Sequence, residues 1–169
     1  MTQTLRFIPA LLLAFICSNA FAVEVSITEK IDIAASPAAV WAVSKDFGNL
    51  HRWHPAFVGS TNSNGNNLGS VRVVDLGGPT ITEELVRFNE EHRNFTYKIT
   101  QVDPSVLPVE NYIAWFAVRD NGNGGSSVTW MGNFNTVGDA PAADVEKGVT
   151  GVYRAGLDNL KAMLETPAE

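Results

Sequence analysis

Residues 69–88 combine the alternation of a β-hairpin with two charged side chains, and this stretch constrains the fold more than any other. A Gly77-Gly78-Pro79 triplet separates two runs rich in β-branched and aliphatic residues, which is typical of two strands joined by a turn. Successive side chains of a strand point to opposite faces, so every second residue shares a face. One face of the first strand then carries Ser70, Arg72, Val74 and Leu76, and one face of the second carries Ile81, Glu83, Leu85 and Arg87.

Arg72 and Glu83 thus fall among aliphatic neighbours on adjacent strands. A charge is costly to bury beside apolar residues unless it is paired. One interpretation is a solvated cross-strand ion pair on an outer face of the sheet. The other is a polar pair inside an apolar pocket, where it would orient a ligand or transfer protons. The strand register decides between the two, because a slip of one residue reverses the face.

The first 22 residues have the features of a secretory signal peptide. Arg6 provides a positive charge, residues 7–16 form a short apolar run, and an Ala-Phe-Ala tripeptide ending at Ala22 matches a cleavage site. The run is shorter than the roughly 20 apolar residues that span a bilayer, so we expect no stable membrane insertion after cleavage. The sequence predicts a periplasmic or secreted protein whose single mature domain, residues 23–169, lacks the chain's one cysteine, Cys17.

Charge and motif content exclude several classes of function. The net charge of −6 and the lack of a basic stripe argue against nucleic-acid binding. No glycine-rich stretch follows a phosphate-binding pattern, and we expect no cofactor. His51 and His54 lie three residues apart with Asp46 nearby, but a metal site needs a further ligand in a set geometry, so we expect no bound metal.

Hydrophobic periodicity predicts one order of elements for the mature chain. Residues 23–34 alternate as a strand, Ser36 and Pro37 suit the start of a helix, and a short second helix follows at residues 49–53. Six further strands precede a long helix that runs from Pro141 to about Leu164. These strands are predicted at residues 57–63, 69–76, 80–88, 94–102, 109–119 and 126–137.

This order predicts an α+β fold in which a curved antiparallel sheet of seven strands wraps around the long C-terminal helix. One helix cannot fill the concave side of such a sheet, so we expect a cavity between them. Small residues on the inner faces, Ala114 and Gly132, would leave it volume. Inner-face residues of the strands and helix either complete a core or line this cavity, and they are Tyr97, Tyr112, Ala114, Phe116, Trp130, Phe134, Val149, Tyr153 and Gly156.

Several motifs follow one another in a recognisable layout over residues 23–164. They are the SPAAVW helix start at residues 36–41, the DFGNL stretch at 46–50 with WHP at 53–55, Arg72 and Glu83, Leu107-Pro108 before Asn111-Tyr112, and VYRAGL at 152–157. In this layout the chain resembles the helix-grip domains of the START-like (SRPBCC) superfamily, in its polyketide cyclase/dehydrase and lipid-transport branch. The resemblance implies a helix-grip fold and an internal cavity for a small hydrophobic molecule.

Two families with this layout add expectations about particular residues. The resemblance to plant abscisic-acid receptors implies two gate loops at residues 76–80 and 106–111, while the receptors' gate sequence and latch are not reproduced. The resemblance to lachrymatory-factor synthase implies that Arg72 and Glu83 face the cavity as a catalytic pair and that Tyr112 is a pocket residue. The gate residues are Gly77, Gly78, Pro79, Leu107 and Pro108.

Three functions remain open at this stage. The first is binding or transport of a small hydrophobic, lipid- or polyketide-like molecule whose polar end meets Arg72 and Glu83. The second is a cyclase, dehydratase or isomerase acting on a small carbonyl substrate, in which Arg72 holds an oxygen, Glu83 moves protons and Tyr112 assists. The third is an interaction module with a filled core. The sequence does not indicate the ligand or the oligomeric state.

Overall fold

The structure, a computed structural model, describes residues 23–166, and the predicted signal peptide lies outside the described residues. Strand β1 (Glu24–Ile33) precedes helix α1 (Pro37–Ser44) and a 3-10 helix (Phe47–Arg52). Six strands and the long helix follow, in the predicted order. They are β2 (Gly59–Asn62), β3 (Val71–Asp75), β4 (Thr80–Asn89), β5 (Asn94–Val102), β6 (Val109–Asp120), β7 (Ser126–Thr136) and α2 (Ala142–Glu165).

The seven strands form a single antiparallel sheet in the order β1-β7-β6-β5-β4-β3-β2. Strand β1 pairs with β7 over its whole length, from Glu24 opposite Asn135 to Ile33 opposite Ser126. Helix α2 packs against β1, β7 and α1, on the concave side of the sheet. The predicted α+β helix-grip fold, with two short helices after the first strand, is therefore confirmed. Within residues 23–166, no helix is long and apolar enough to span a membrane.

Local sequence signals account for the two short helices. The Ser36 hydroxyl accepts a hydrogen bond from the Ala39 N–H at 3.3 Å, and proline occupies the first turn of α1, as predicted. The second helix begins at Phe47, earlier than the predicted residue 49, because the Asp46 carboxylate caps it by accepting from the Gly48 N–H at 3.0 Å. This helix leads into the segment that closes one side of the cavity.

The β3–β4 hairpin has the predicted turn and nearly the predicted register. Gly77 and Gly78 have φ values of 88° and 152°, which favour glycine, and the Asp75 carboxylate accepts from both of their N–H groups. Arg72 lies directly opposite Glu83, and both are buried on the concave side. The prediction that Arg87 shares this face is wrong, because the β4–β5 register shifts between Leu85 and Arg87 and turns Arg87 to solvent.

Strands β5 and β6 separate at one end of the sheet. Their pairing stops at Lys98 opposite Ile113, although β5 continues to Val102 beside β4. The pairing of β6 with β7 is also interrupted just before Ile113, where Asn111 adopts a left-handed conformation with φ 53°. Tyr112 follows this break and is buried on the concave side. The sheet is therefore open where Tyr112 meets the interior.

Candidate functional site

A cavity of about 240 Å³ lies between α2 and the concave face of the sheet. Strands β4 to β7, helix α2 and the segment after the 3-10 helix all contribute to its wall, which is largely apolar. The third hypothesis from the sequence, an interaction module with a filled core, does not fit a structure that contains this cavity. Residues expected from the sequence to line a cavity, and found in its wall, are Glu83, Tyr97, Leu107, Tyr112, Trp130, Val149 and Tyr153.

Other lining residues were not singled out from the sequence. Strand alternation could have predicted that Ile81 and Ile99 line the cavity. Ile81 lies two positions from Glu83 and Ile99 two positions from Tyr97, each on the same face of its strand. Gly148 and Val152 lie at helical spacing on α2, so periodicity could also have found them. Three more, Leu50, Ala56 and Phe57, lie in or after the 3-10 helix, where no regular pattern predicts which side chains point inward.

Two aromatic residues expected in the cavity wall are core residues instead. Phe116 stacks on Phe95, with ring centroids 5.3 Å apart, and also packs against Trp53 and Trp130. Phe134 stacks on Tyr112 at 5.6 Å. Neither residue is in the cavity wall, and both rings are packed against other aromatic side chains. Phe134 thus supports Tyr112, which does line the cavity.

The small residues expected to leave volume for a ligand make room for protein side chains. A Cβ atom at Gly132, the cross-strand neighbour of Ala114, would lie 2.5 Å from the Tyr153 hydroxyl oxygen, so the Tyr153 side chain occupies the space above Gly132. A Cβ atom at Gly156 would lie 2.8 Å from Nε2 of His54. Ala114 and Gly156 are therefore absent from the cavity wall.

The two predicted gate loops border the cavity through a few apolar side chains. Leu76 and Leu107 line it, and Val106 lies beside Leu107 in the wall. Gly77, Gly78 and Pro79 are exposed in the turn beyond Leu76, and Pro108 is half-buried next to Leu107 without reaching the cavity. The loops are positioned at the cavity, and each places a leucine side chain against it.

Arg72 and Glu83 form a buried ion pair across the hairpin. Arg72 Nε donates to Glu83 Oε2 at 2.5 Å, and the two side chains are 2% and 7% exposed. Arg72 Nη1 also donates to the Phe47 carbonyl oxygen at 3.0 Å. The guanidinium lies 4.1 Å from the centre of the Phe47 ring and 4.9 Å from that of Tyr97, which adds cation–π attraction.

Glu83 and Arg72 differ in their position relative to the cavity. Glu83 lines the cavity, while Arg72 lies behind it and does not. Two N–H groups of Arg72 are used by the protein, and its flat face is covered by Phe47 and Tyr97. Oε2 of Glu83 receives the Arg72 bond, which leaves Oε1 to accept a hydrogen bond from a ligand. The expectation that Arg72 itself contacts the ligand does not match this geometry.

Three tyrosine hydroxyls accompany Glu83 in the wall. Trp130 Nε1 donates to the Tyr97 hydroxyl oxygen at 3.1 Å, and the hydroxyls of Tyr112 and Tyr153 are hydrogen-bonded to each other. The Tyr153 ring stacks on Trp130 with centroids 4.3 Å apart and planes 9° apart, which fixes its orientation. The cavity therefore has one polar region, made of a carboxylate and phenol groups, in an apolar wall.

Burial keeps the three phenols protonated. It raises the pKa of Tyr97, Tyr112 and Tyr153 well above the usual value of 10.0, and the negative charge of Glu83 adds to each rise. Each hydroxyl therefore retains its hydrogen and can donate. The Tyr97 hydroxyl accepts from Trp130 and also hydrogen-bonds with Tyr112 and Tyr153. In the Tyr112–Tyr153 bond only one of the two hydroxyls donates, so the other keeps its hydrogen for a further acceptor.

His54 connects the cavity wall to helix α2. It is buried, its Nε2 donates to the Val152 carbonyl at 2.9 Å, and its Nδ1 accepts from the Ala56 N–H at 3.2 Å. The pKa of His54 is lowered from 6.5 to about 4, mainly by burial and also by the nearby charge of Arg72, while the hydrogen bond to the Val152 carbonyl opposes the shift. The neutral ring occupies the space that a side chain at position 156 would need.

No metal-binding cluster of histidine, cysteine or acidic residues occurs within residues 23–166. Nδ1 of His51 bonds to the Ser60 hydroxyl at 2.8 Å, and both ring nitrogens of His54 bond to backbone groups. The Asp46 carboxylate caps the 3-10 helix. The residues considered from the sequence as metal ligands thus have structural contacts.

A curved antiparallel sheet closed by one long C-terminal helix, with a cavity between them, defines a helix-grip protein of the START-like class. The chain belongs to the polyketide cyclase/dehydrase and lipid transport family, whose model matches residues 24–165. None of the curated proteins matches the chain.

Solved structures with the same fold come from bacteria and plants. The protein XoxI of Bacillus cereus is 29% identical, with a TM-score of 0.74, over 82% of this chain and 94% of its own. An uncharacterised protein of Bacillus thuringiensis is 28% identical, with a TM-score of 0.75, over 84% of this chain and 100% of its own. A point mutant of norcoclaurine synthase from Thalictrum flavum, solved with a transition-state analogue, is 18% identical with a TM-score of 0.65, over 86% of this chain and 97% of its own. The last similarity concerns the fold alone.

Proposed function

We propose that this protein binds or transports a small hydrophobic molecule with one polar end. The observation that carries the proposal is the cavity of about 240 Å³, whose apolar wall contains a single polar region formed by Glu83 and three tyrosine hydroxyls. Ligand sites of this kind are mostly apolar, with a few polar groups that fix orientation. Glu83, Tyr97 and Tyr112 of the polar region lie on the sheet and Tyr153 lies on α2. Apolar residues such as Leu107 and Val149 would surround the rest of the ligand.

The size of the cavity limits the ligand. An apolar cavity of about 150 Å³ holds benzene. By proportion, about 240 Å³ corresponds to about ten non-hydrogen atoms. A molecule with one ring, two fused rings or one short chain fits this volume, and a two-chain phospholipid exceeds it. Among polyketide-like and lipid-like molecules, we therefore favour ligands of low molecular mass.

A paired substitution on one helix tests this proposal. Isothermal titration calorimetry with 2-naphthol should detect binding to the wild-type chain. Val149→Trp places an indole in the cavity and should abolish binding. Lys147→Trp adds the same group at an exposed position of α2 and should leave binding unchanged. Absence of binding to the wild type, or equal binding to both variants, would contradict a ligand site in this cavity.

A second candidate function is catalysis on a small carbonyl compound, as in a cyclase, dehydratase or isomerase. The observation that favours it is the placement of Glu83 and Tyr112 in the wall of one cavity. Glu83 would take a proton from the carbon next to the carbonyl, while the Tyr112 hydroxyl donates to the developing enolate oxygen. Arg72 would hold the Glu83 carboxylate in position.

Hydrogen exchange in D₂O tests this second function. Proton NMR of 2-tetralone should show loss of the signals next to the carbonyl faster with the protein than in buffer. Glu83→Gln should reduce the rate to that of buffer, and Glu84→Gln, on the outer face of the same strand, should not. If the wild-type protein gives only the buffer rate, this candidate is rejected and binding stands alone.

We also propose that the protein is exported, to the periplasm or out of the cell. The charged start, apolar run and cleavage pattern of residues 1–22 support this. Mass spectrometry of protein purified from its host should give a chain that begins at Val23. A chain of the full 169 residues would contradict export by cleavage.

A further inference from the structure

The polar region of the cavity is electrically balanced before any ligand binds. The negative charge of Glu83 is matched by Arg72, whose Nε lies 2.5 Å from Oε2. Among residues 23–166, no second charged side chain lines the cavity. The phenols of Tyr97, Tyr112 and Tyr153 are uncharged. A ligand that adds a charge would therefore leave a net charge in a largely apolar enclosure, and such a charge is unfavourable.

The hydrogen-bonding groups that face the cavity also differ in kind. Glu83 can only accept, because its carboxylate is ionised in the pair with Arg72. The tyrosine hydroxyls retain O–H groups, and only one hydroxyl donates in the Tyr112–Tyr153 bond, so the other can donate to a ligand. A group that both donates and accepts can satisfy the two together. A ligand carboxylate would place its oxygens beside the Glu83 oxygens, and an ether would leave Glu83 without a donor.

We propose that the polar end of the ligand is an uncharged hydroxyl group, which donates to Glu83 and accepts from a tyrosine O–H. This inference rests on the proposed binding function. It assigns Glu83 as the specificity-determining contact and Arg72 as a positioning residue that also sets the charge of the site. The ligand is then an alcohol or a phenol of about ten non-hydrogen atoms, by the volume argument above. Free fatty acids and amines of the same size are disfavoured.

Four probes of equal size test this inference. Nonan-1-ol, methyl octyl ether, octanoate and nonylammonium each contain about ten non-hydrogen atoms and differ in the polar end. Calorimetric titration of the wild-type chain at pH 7 should give at least ~10-fold tighter binding for nonan-1-ol than for each of the others, a difference of about 1.4 kcal/mol. The ether is the critical comparison, since it is the same size and uncharged but cannot donate.

Charge-altering variants provide a second, independent readout. Glu83→Gln leaves the positive charge of Arg72 without a partner and should shift the ligand preference towards octanoate. Arg72→Met leaves the negative charge of Glu83 without a partner and should shift the ligand preference towards nonylammonium. Glu84→Gln, on the outer face of β4, should leave the order of the four probes unchanged. If either charge-altering variant fails to fold, the ranking of the wild-type chain still decides the question.

The outcomes separate this inference from the function on which it rests. If none of the four probes binds, the proposed binding function fails, and the inference fails with it. If the ether equals the alcohol, or octanoate or nonylammonium binds most tightly to the wild type, binding stands and the hydroxyl assignment is overturned. Preference for nonan-1-ol, lost or redirected in Glu83→Gln, supports both.

Discussion

Glu83 reaches the cavity, and its cross-strand partner Arg72 does not, although the two side chains are joined by an ion pair of 2.5 Å. The pair is therefore asymmetric with respect to a ligand. Arg72 contacts Glu83, the Phe47 carbonyl and two aromatic rings, so its contribution is to hold and neutralise the carboxylate.

Removal of Arg72 should destabilise the protein strongly. Arg72→Met leaves the Glu83 carboxylate buried without its partner, and breaking a buried ion pair in this way costs about 3–5 kcal/mol. Urea unfolding should give a loss of this size. The matched control is Lys98→Met, because Lys98 pairs with Glu84 at 3.1 Å on the outer face, with 44% and 31% exposure. An exposed pair contributes about 0–1 kcal/mol, so equal losses in the two variants would contradict the buried pair.

Gly156 should tolerate no side chain, in contrast to Gly151 on the same helix. In Gly156→Ala the methyl group would meet the His54 ring and lie 3.2 Å from Cζ3 of Trp130, and overpacking of this kind costs about 1–3 kcal/mol. Gly151→Ala meets no atom within 4 Å and should stabilise α2 by about 1 kcal/mol. Thermal unfolding monitored by circular dichroism measures both. Stabilisation by Gly156→Ala would show that His54 is placed elsewhere.

Stability should fall as the pH decreases from 6.5 to about 4, because of His54. In this window the unfolded chain binds a proton at His54 and the folded chain does not, so protonation favours unfolding. The full difference corresponds to about 3 kcal/mol. The free energy of unfolding, measured in urea between pH 4 and 7, should show this slope in the wild type.

The control for the pH prediction is a comparison of slopes rather than of absolute stabilities. His54→Gln removes the titrating group and should flatten the decline, even if it lowers stability at every pH. His92→Gln, at an exposed turn, should retain the wild-type slope. An unchanged slope in His54→Gln would mean that another group causes the acid sensitivity.

Gly132 and Tyr153 should be energetically coupled. Gly132→Ala would place a methyl group 2.5 Å from the Tyr153 hydroxyl oxygen and should cost about 1–3 kcal/mol. In a Tyr153→Phe background that oxygen is absent, so the same change should cost less. A double-mutant cycle by urea unfolding should give a coupling of about 0.5–3 kcal/mol. Additive effects would show that the hydroxyl does not occupy the space above Gly132.

The fold was predictable from the sequence because alternation and helix signals agreed along the whole chain. The inner faces of β6 and β7 and the capping of α1 by Ser36 followed from local rules. The face of Arg87 did not, because one irregularity in the β4–β5 register is enough to reverse it and leaves no signature in the pattern of residue types.

The site was only partly predictable, for a related reason. Strand alternation can place Glu83 and Tyr112 on the inner side of the sheet, but it cannot distinguish a residue in the cavity wall from one covered by another ring. Phe134 and Gly156 share faces with lining residues and are covered by Tyr112 and His54, respectively. Long-range packing decides these cases, since His54 and its helix partner Val152 are 98 residues apart.

Helix α2 follows all seven strands in the sequence and is the last element described. A chain that ends at Thr136 contains the residues of all seven strands but lacks the helix that covers the concave face around Trp130. The cavity therefore cannot close before α2 docks, and until then the concave face exposes an aromatic surface that favours aggregation. Because docking of α2 both completes the fold and closes the site, a ligand present at that moment can be enclosed as the protein matures.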